Sequence, residues 1–154
     1  MKNKAVFIVI IVIAIGLISF YFYRGNSIGE VIEKNESFNV YKVVFDGYDG
    51  KKIYGLLFSP LKKEYDAVIV LPAAAGTKES RRFYGEILAG MGYGSLILDQ
   101  RGIGETGGVN PSLQEDFNAY LQNKDVGAIL TARDAVSAAD FLEKVKGVKN
   151  IGIL

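Results

Sequence analysis

The sequence predicts an α/β fold: a mostly parallel sheet of about five strands with crossover helices, preceded by one transmembrane helix. Three observations carry this prediction. Between Ala67 and Leu154, short apolar runs alternate with longer stretches of helical periodicity, the pattern of strands joined by crossovers. A glycine-dense turn, LDQRGIGETGG from Leu98 to Gly108, directly follows one of those runs, and open α/β sheets place their ligand-handling loops at such positions. Finally, Ala5 to Tyr23 contains no charged residue.

That first segment, AVFIVIIVIAIGLISFYFY, is 19 residues long. At helical rise it spans about 28 Å, close to the hydrocarbon thickness of a bilayer. A helix is the form that satisfies its own backbone there. Tyr21 and Tyr23, with Arg24 beyond them, suit the interface. A cleaved signal peptide is the competing reading, but the run is longer than a usual h-region and FYFYR is a poor cleavage site. Lys2 and Lys4 precede the segment, while Glu30, Glu33 and Glu36 follow it. The positive-inside rule then sets the amino terminus in the cytoplasm and the remainder outside a cell membrane crossed once. Residues 1–24 are thus read as cytoplasmic tip and anchor, 25–37 as a polar tether, and 38–154 as one domain.

Within that domain Phe38 to Asp46, FNVYKVVFD, alternates as a half-buried strand does. The turn residues Gly47 to Gly50 lead into a returning strand over Lys52 to Ser59, ended by Pro60. Ala67 to Leu71, AVIVL, is a continuous apolar run suited to a strand buried on both faces. Next comes a helix with Phe83, Ile87, Leu88 and Met91 at helical spacing. Ser95 to Leu98 is a second buried strand. Ser112 and Glu115 form a capping-box pattern that opens a short helix through about Leu121. A longer helix starts at Asp125, with Ile129, Ala132, Val136, Ala139 and Leu142 as its apolar stripe. Gly147 ends it before a strand over Asn150 to Leu154.

Composition narrows the chemistry. Removing Lys2, Lys4 and Arg24 from the 18 basic residues leaves 15 against 17 acidic, a net charge of −2 from Gly25 onward. No basic stripe exists to neutralise phosphates, which argues against nucleic acid. The chain has no cysteine and no histidine. No disulfide or thiolate metal site can form, and no spaced carboxylate cluster marks a metal site, so neither metal nor cofactor is expected.

Two mechanisms compete for the glycine-rich turn. Gly102, Gly104 and Gly107 fit the dinucleotide fingerprint G-x-G-x-x-G. That fingerprint must open a helix whose amino terminus meets the pyrophosphate. Here Gly107-Gly108-Val109-Asn110-Pro111 follows instead, and Asp99 intervenes between the strand and the first glycine. The context does not support nucleotide binding.

The longer pattern D-x-R-G-x-G-x-T-x-G, taken with AVIVLPAAAGTKESRRFYGEILAGMGYGSLILDQRGIGETGG from Ala67, resembles the amino-terminal half of α/β-hydrolases. The similarity is to their acyl-peptidase, dienelactone-hydrolase and acyl-thioesterase-like members. DVGAILTARDAVSAADFLEKV and VKNIGIL resemble the helix before the nucleophile strand and that strand's start, so the resemblance runs from Phe38 to Leu154. It implies that Asp99 and Arg101 bond loop backbone and neighbouring side chains, while Gly102 and Gly104 permit positive φ. It also implies an oxyanion hole built from backbone N–H groups at Ala74 and Ala73. Pro72 stands where the family frequently has His, and Ala73 where it has Gly. An ordinary small-residue turn into a helix would use the same residues.

A serine hydrolase needs a nucleophile on the turn after its fifth strand, plus an acid and a histidine. None of Ser19, Ser27, Ser37, Ser59, Ser80, Ser95, Ser112 or Ser137 lies in a G-x-S-x-G setting. The expectation is a membrane-anchored but incomplete serine hydrolase, with acyl transfer to water as its reaction class and no catalytic residue of its own. Its expected partners are the lipid bilayer and a complementary carboxy-terminal chain. With its last strand left as an open edge, the domain alone is expected to be marginally stable or to aggregate. The alternative is a membrane-anchored binding or scaffold protein that keeps the sheet without the chemistry.

Overall fold

The computed structural model describes residues 28–72, 76–109 and 111–154. The predicted anchor, Ala5 to Tyr23, lies outside the described residues. Among the described residues no helix is long and apolar enough to cross a membrane.

Alternation in FNVYKVVFD and KIYGLLFSP builds a long hairpin, β2 (Phe38–Asp46) and β3 (Lys52–Pro60), paired residue for residue from Phe38↔Pro60 to Asp46↔Lys52. Gly50 takes φ +78 in the connecting turn, a conformation glycine adopts without a Cβ penalty. The apolar runs that follow form β4 (Tyr65–Val70) and β5 (Gly94–Leu98), and the chain returns to the sheet in β6 (Val148–Ile153). Three helices connect them: α1 (Arg82–Gly90), α2 (Leu113–Leu121) and α3 (Gly127–Leu142).

The sheet has six strands in the order β1-β2-β3-β5-β4-β6 and is mixed. The expected mostly parallel sheet of about five strands is corrected on both counts. Only β4, β5 and β6, the strands linked through helices, run parallel. The hairpin adds antiparallel pairs, and β3 meets β5 antiparallel because it enters from the opposite end. The extra strand, β1 (Glu30–Lys34), pairs antiparallel with β2 inside the stretch expected to be tether. Glu33 of β1 is ion-paired to Arg82 of α1, which ties this edge strand to the layer behind it.

Alternating residues send one apolar set to each face of the sheet. Val43, Leu57, Ile69, Leu96 and Leu98 pack with Ala138 and Leu142 of α3. Val40, Leu56, Phe58, Val70 and Ile97 pack with Ala89 of α1 on the other side. The molecule is therefore a three-layer α/β/α unit.

Both helices seat only part of the apolar stripe that the sequence predicts: Leu88 of α1 and Ala139 and Leu142 of α3 pack on the core, and the rest of the contact face is made by other, small residues. In α1 the buried residues are Gly85 and Ala89, while Phe83, Ile87 and Met91 are exposed. In α3 they are Asp134, Ala135, Ala138 and Leu142, while Ile129 and Val136 face outward. Small residues let the helix axis approach the sheet, and that close approach decides the face. A Cβ at Gly85 would sit 2.4 Å from the Phe58 ring.

Candidate functional site

The carboxyl ends of β4 and β5 form the natural site. The chain leaving β4 goes to α1 on one face of the sheet, while the chain leaving β5 goes to α2 and α3 on the other. Adjacent loops diverging to opposite faces leave a crevice between them, the topological switch point of an open α/β sheet. A cleft of about 770 Å³ lies there, lined in part by Pro72, Gln100, Arg101, Leu113, Asp116 and Thr131.

Asp99 follows β5 directly and is buried. Its carboxylate accepts the backbone N–H of Lys78 at 2.8 Å, the Lys78 ammonium at 2.7 Å, and the backbone N–H of Glu105 at 2.9 Å. One side chain thus links the end of the loop after β4 to the glycine-rich turn after β5. Lys78 is itself 1% exposed and also reaches Glu79 at 3.0 Å and Glu105 at 3.1 Å. Burial alone would lower the Lys78 pKa. Hydrogen bonds to Asp99, Glu79 and Glu105 outweigh burial and hold it well above the ordinary 10.5. Glu105 continues the chain of charge to Lys42 of β2 at 2.6 Å, and this contact, then Lys78, keeps its carboxyl below the ordinary range.

Arg101 makes a second cross-link. It is bidentate to Asp134 of α3 at 2.6 Å for both bonds, and bidentate to Asp49 of the β2–β3 turn at 2.7 and 2.9 Å. Its guanidinium also lies 5.2 Å from the centre of the Tyr48 ring. This fork geometry is what a planar guanidinium offers and a lysine does not. The Arg101 hydrogen bond drives the Asp49 carboxyl far below its ordinary value.

The turn between these two anchors needs left-handed backbone. Gly102 has φ +80 and Gly104 φ +58, and a Cβ on Gly104 would lie 2.5 Å from the Asp99 carboxylate. Thr106 closes the turn, its hydroxyl accepting the Tyr54 N–H at the start of β3 at 3.0 Å. Asp99, Arg101, Gly102 and Gly104 thus hold three segments together, and none presents an uncommitted catalytic group. Ala73 and Ala74 lie outside the described residues, between Pro72 and Gly76. Among the described residues no group of acidic side chains could hold a metal ion.

Sequence reasoning missed Lys78, Asp49 and Asp134 as members of this network, while Thr106 stands in the D-x-R-G-x-G-x-T-x-G pattern without a role assigned to it. Asp134 did leave a signal, since it falls on the same helical face as Ala135, Ala138 and Leu142. A carboxylate among buried alanines needs a cation, and Arg101 is that cation. Lys78 leaves no such mark within GTKES.

No family model and no curated protein matches the sequence. Solved structures do share its fold. An acetyl xylan esterase from a Paenibacillus species superposes with a TM-score of 0.59 at 21% identity, over 80% of this chain and 43% of that one. A cold-adapted esterase from an Arctic intertidal metagenomic library gives 0.58 at 21%, over 79% and 51%. A dienelactone hydrolase-like promiscuous phosphotriesterase from metagenomic libraries gives 0.56 at 20%, over 76% and 48%. The fold is therefore of the α/β-hydrolase type. This chain spans only about half the length of those structures.

Proposed function

We propose that these 154 residues form the amino-terminal part of a membrane-anchored acyl hydrolase and supply the frame of the cleft, while the relay residues lie outside them. The observation that carries this reading is the crevice where β4 and β5 diverge, braced by Asp99 and Arg101. It is supported by the shared fold and by the lack of histidine and of any G-x-S-x-G in these 154 residues.

In the completed site, a serine Oγ attacks an ester, thioester or amide carbonyl while a histidine takes its proton. The reading assigns the backbone N–H of Ala74 to the oxyanion hole. The histidine then returns the proton to the leaving group, and water repeats the cycle on the acyl-serine. This chain's own task is positional. Asp99 accepts Lys78 N–H and so fixes the far end of the loop that carries Ala73 and Ala74. The anchor at Ala5 to Tyr23 keeps the domain at the outer face of a cell membrane.

The test is hydrolysis of p-nitrophenyl acetate, together with labelling by a fluorophosphonate. The full chain in detergent should show neither. Expression together with the sequence encoded directly downstream, as one chain or two, should yield both. Turnover by the chain alone would overturn the division of labour. A completed product that never labels would favour the scaffold reading.

A further inference from the structure

The helix α2 is amphipathic in the inverse sense for a surface helix. Leu113, Phe117, Tyr120 and Leu121 fall at i, i+4, i+7 and i+8 and so share one stripe. All four are between 54% and 89% exposed, and Val109 just before them is 79% exposed. No residue of α2 is buried. Its hold on the domain comes instead from the polar side, where Asp116 accepts the N–H of Gly127 at 3.0 Å and so caps α3. A helix that turns its carboxylate inward and its aromatic face outward is shaped for an apolar partner.

The path of the chain indicates which partner. β1 runs from Glu30, opposite Lys42, to Lys34, opposite Asn39. Its start therefore lies at the end of the sheet where β3 begins and β5 finishes, with Gly55 opposite Leu98. Ile28 lines a small cavity there together with Lys42, Val43, Val44 and Tyr54. Lys42 in turn contacts Glu105 of the glycine-rich turn. The cleft and α2 stand at this same end. From Tyr23 to Ile28 the chain advances five residues, a reach of at most about 18 Å even when fully extended. Whatever holds the apolar segment 5–23 also holds the cleft end of the domain close to it.

We propose that the outward face of α2 seats in the lipid interface of a zwitterionic bilayer, so that the cleft opens toward the membrane and takes its acyl substrate from there. The placement rests on the reading of Ala5 to Tyr23 as a membrane anchor. Interfacial helices bury an apolar face by about 5–10 Å at the headgroup boundary. From Gly107 to Gln122 the chain has Glu115 and Asp116 and no basic residue, so attraction to anionic lipid contributes nothing here.

The sequence contains no cysteine, which permits single-site labelling of the full chain in phosphatidylcholine vesicles. An environment-sensitive fluorophore is placed in Phe117→Cys, Leu121→Cys, Leu61→Cys and Ile13→Cys. Leu61 is the reference: exposed and apolar, but at the opposite end of the sheet, just beyond β3. Phe117 and Leu121 labels should shift to the blue and lose intensity to nitroxide-bearing lipid, while the Leu61 label does neither. If they behave like the Leu61 label, the proposal is overturned. A blue shift that lipid nitroxide leaves untouched means a protein covers the helix, and also overturns it. The Ile13 label scores the anchor separately, whichever way α2 behaves.

Discussion

At the scale of single residues, the Lys78–Asp99 pair is the point of greatest consequence. Both side chains are almost wholly buried, and removing one partner of such a pair leaves an uncompensated charge in a low-dielectric site. Lys78→Met is expected to cost on the order of 3–5 kcal/mol, read as a lowered urea midpoint of the full chain in detergent. Its pH dependence follows from the raised pKa. A lysine held above 10.5 in the folded state stabilises fully below that value. The contribution is lost as pH rises through the folded value, because the unfolded state releases its proton first. Wild type should therefore lose stability in the alkaline range, and Lys78→Met should show a flatter profile there. An unchanged alkaline slope would remove Lys78 from this role. The glycines and the acid–arginine pair of this loop stand out in the sequence because few residues tolerate such backbone. Lys78 does not stand out, because its partner is 21 positions away and only the folded loop brings them together.

At the scale of elements, the seating of helices follows the space they are given. Gly85 allows α1 to touch the Phe58 ring, while Gly90 of the same helix faces open space. Gly85→Ala is expected to destabilise by about 1–3 kcal/mol through overpacking. Gly90→Ala should stabilise by roughly 0.5–1 kcal/mol by restricting the unfolded chain. Thermal unfolding of the two variants beside wild type measures both signs, and equal shifts in one direction would contradict the close approach. Period and punctuation in the sequence locate the helices well: Ser112 and Glu115 form the capping box at the start of α2. They do not tell which face of α1 or α3 is inside. The large aliphatic stripe and the small-residue stripe both have helical period, and contact distance to the sheet selects between them. The sequence places the start of α3 at Asp125, but the helix starts at Gly127. Asp125 is ion-paired to Arg133, and Asp116 of the preceding helix caps Gly127 instead.

At the scale of the whole molecule, the sheet has one well-guarded edge and one open edge. β1 is short, carries Glu30, Glu33 and Lys34, and is tied to α1 through Glu33 and Arg82, features that discourage pairing by another strand. At the other side β6 pairs with β4 through Ala67↔Ile151, Val68↔Gly152 and Ile69↔Ile153, and among the described residues nothing lies beyond it. The Leu154 N–H bonds to Ile69 and its carbonyl accepts from Leu71. By the alternation of a parallel ladder, the N–H and carbonyl of Ile153 then point away from β4. Ile153 is 62% exposed, so the open edge offers both backbone donors and apolar side chains. Ile153→Pro is expected to remove one outward donor without breaking a bond to β4, because proline is tolerated on an edge strand. Sedimentation velocity of the full chain in detergent should show concentration-dependent association for wild type and a clear reduction for the variant. Association that persists unchanged in Ile153→Pro would move the contact away from β6.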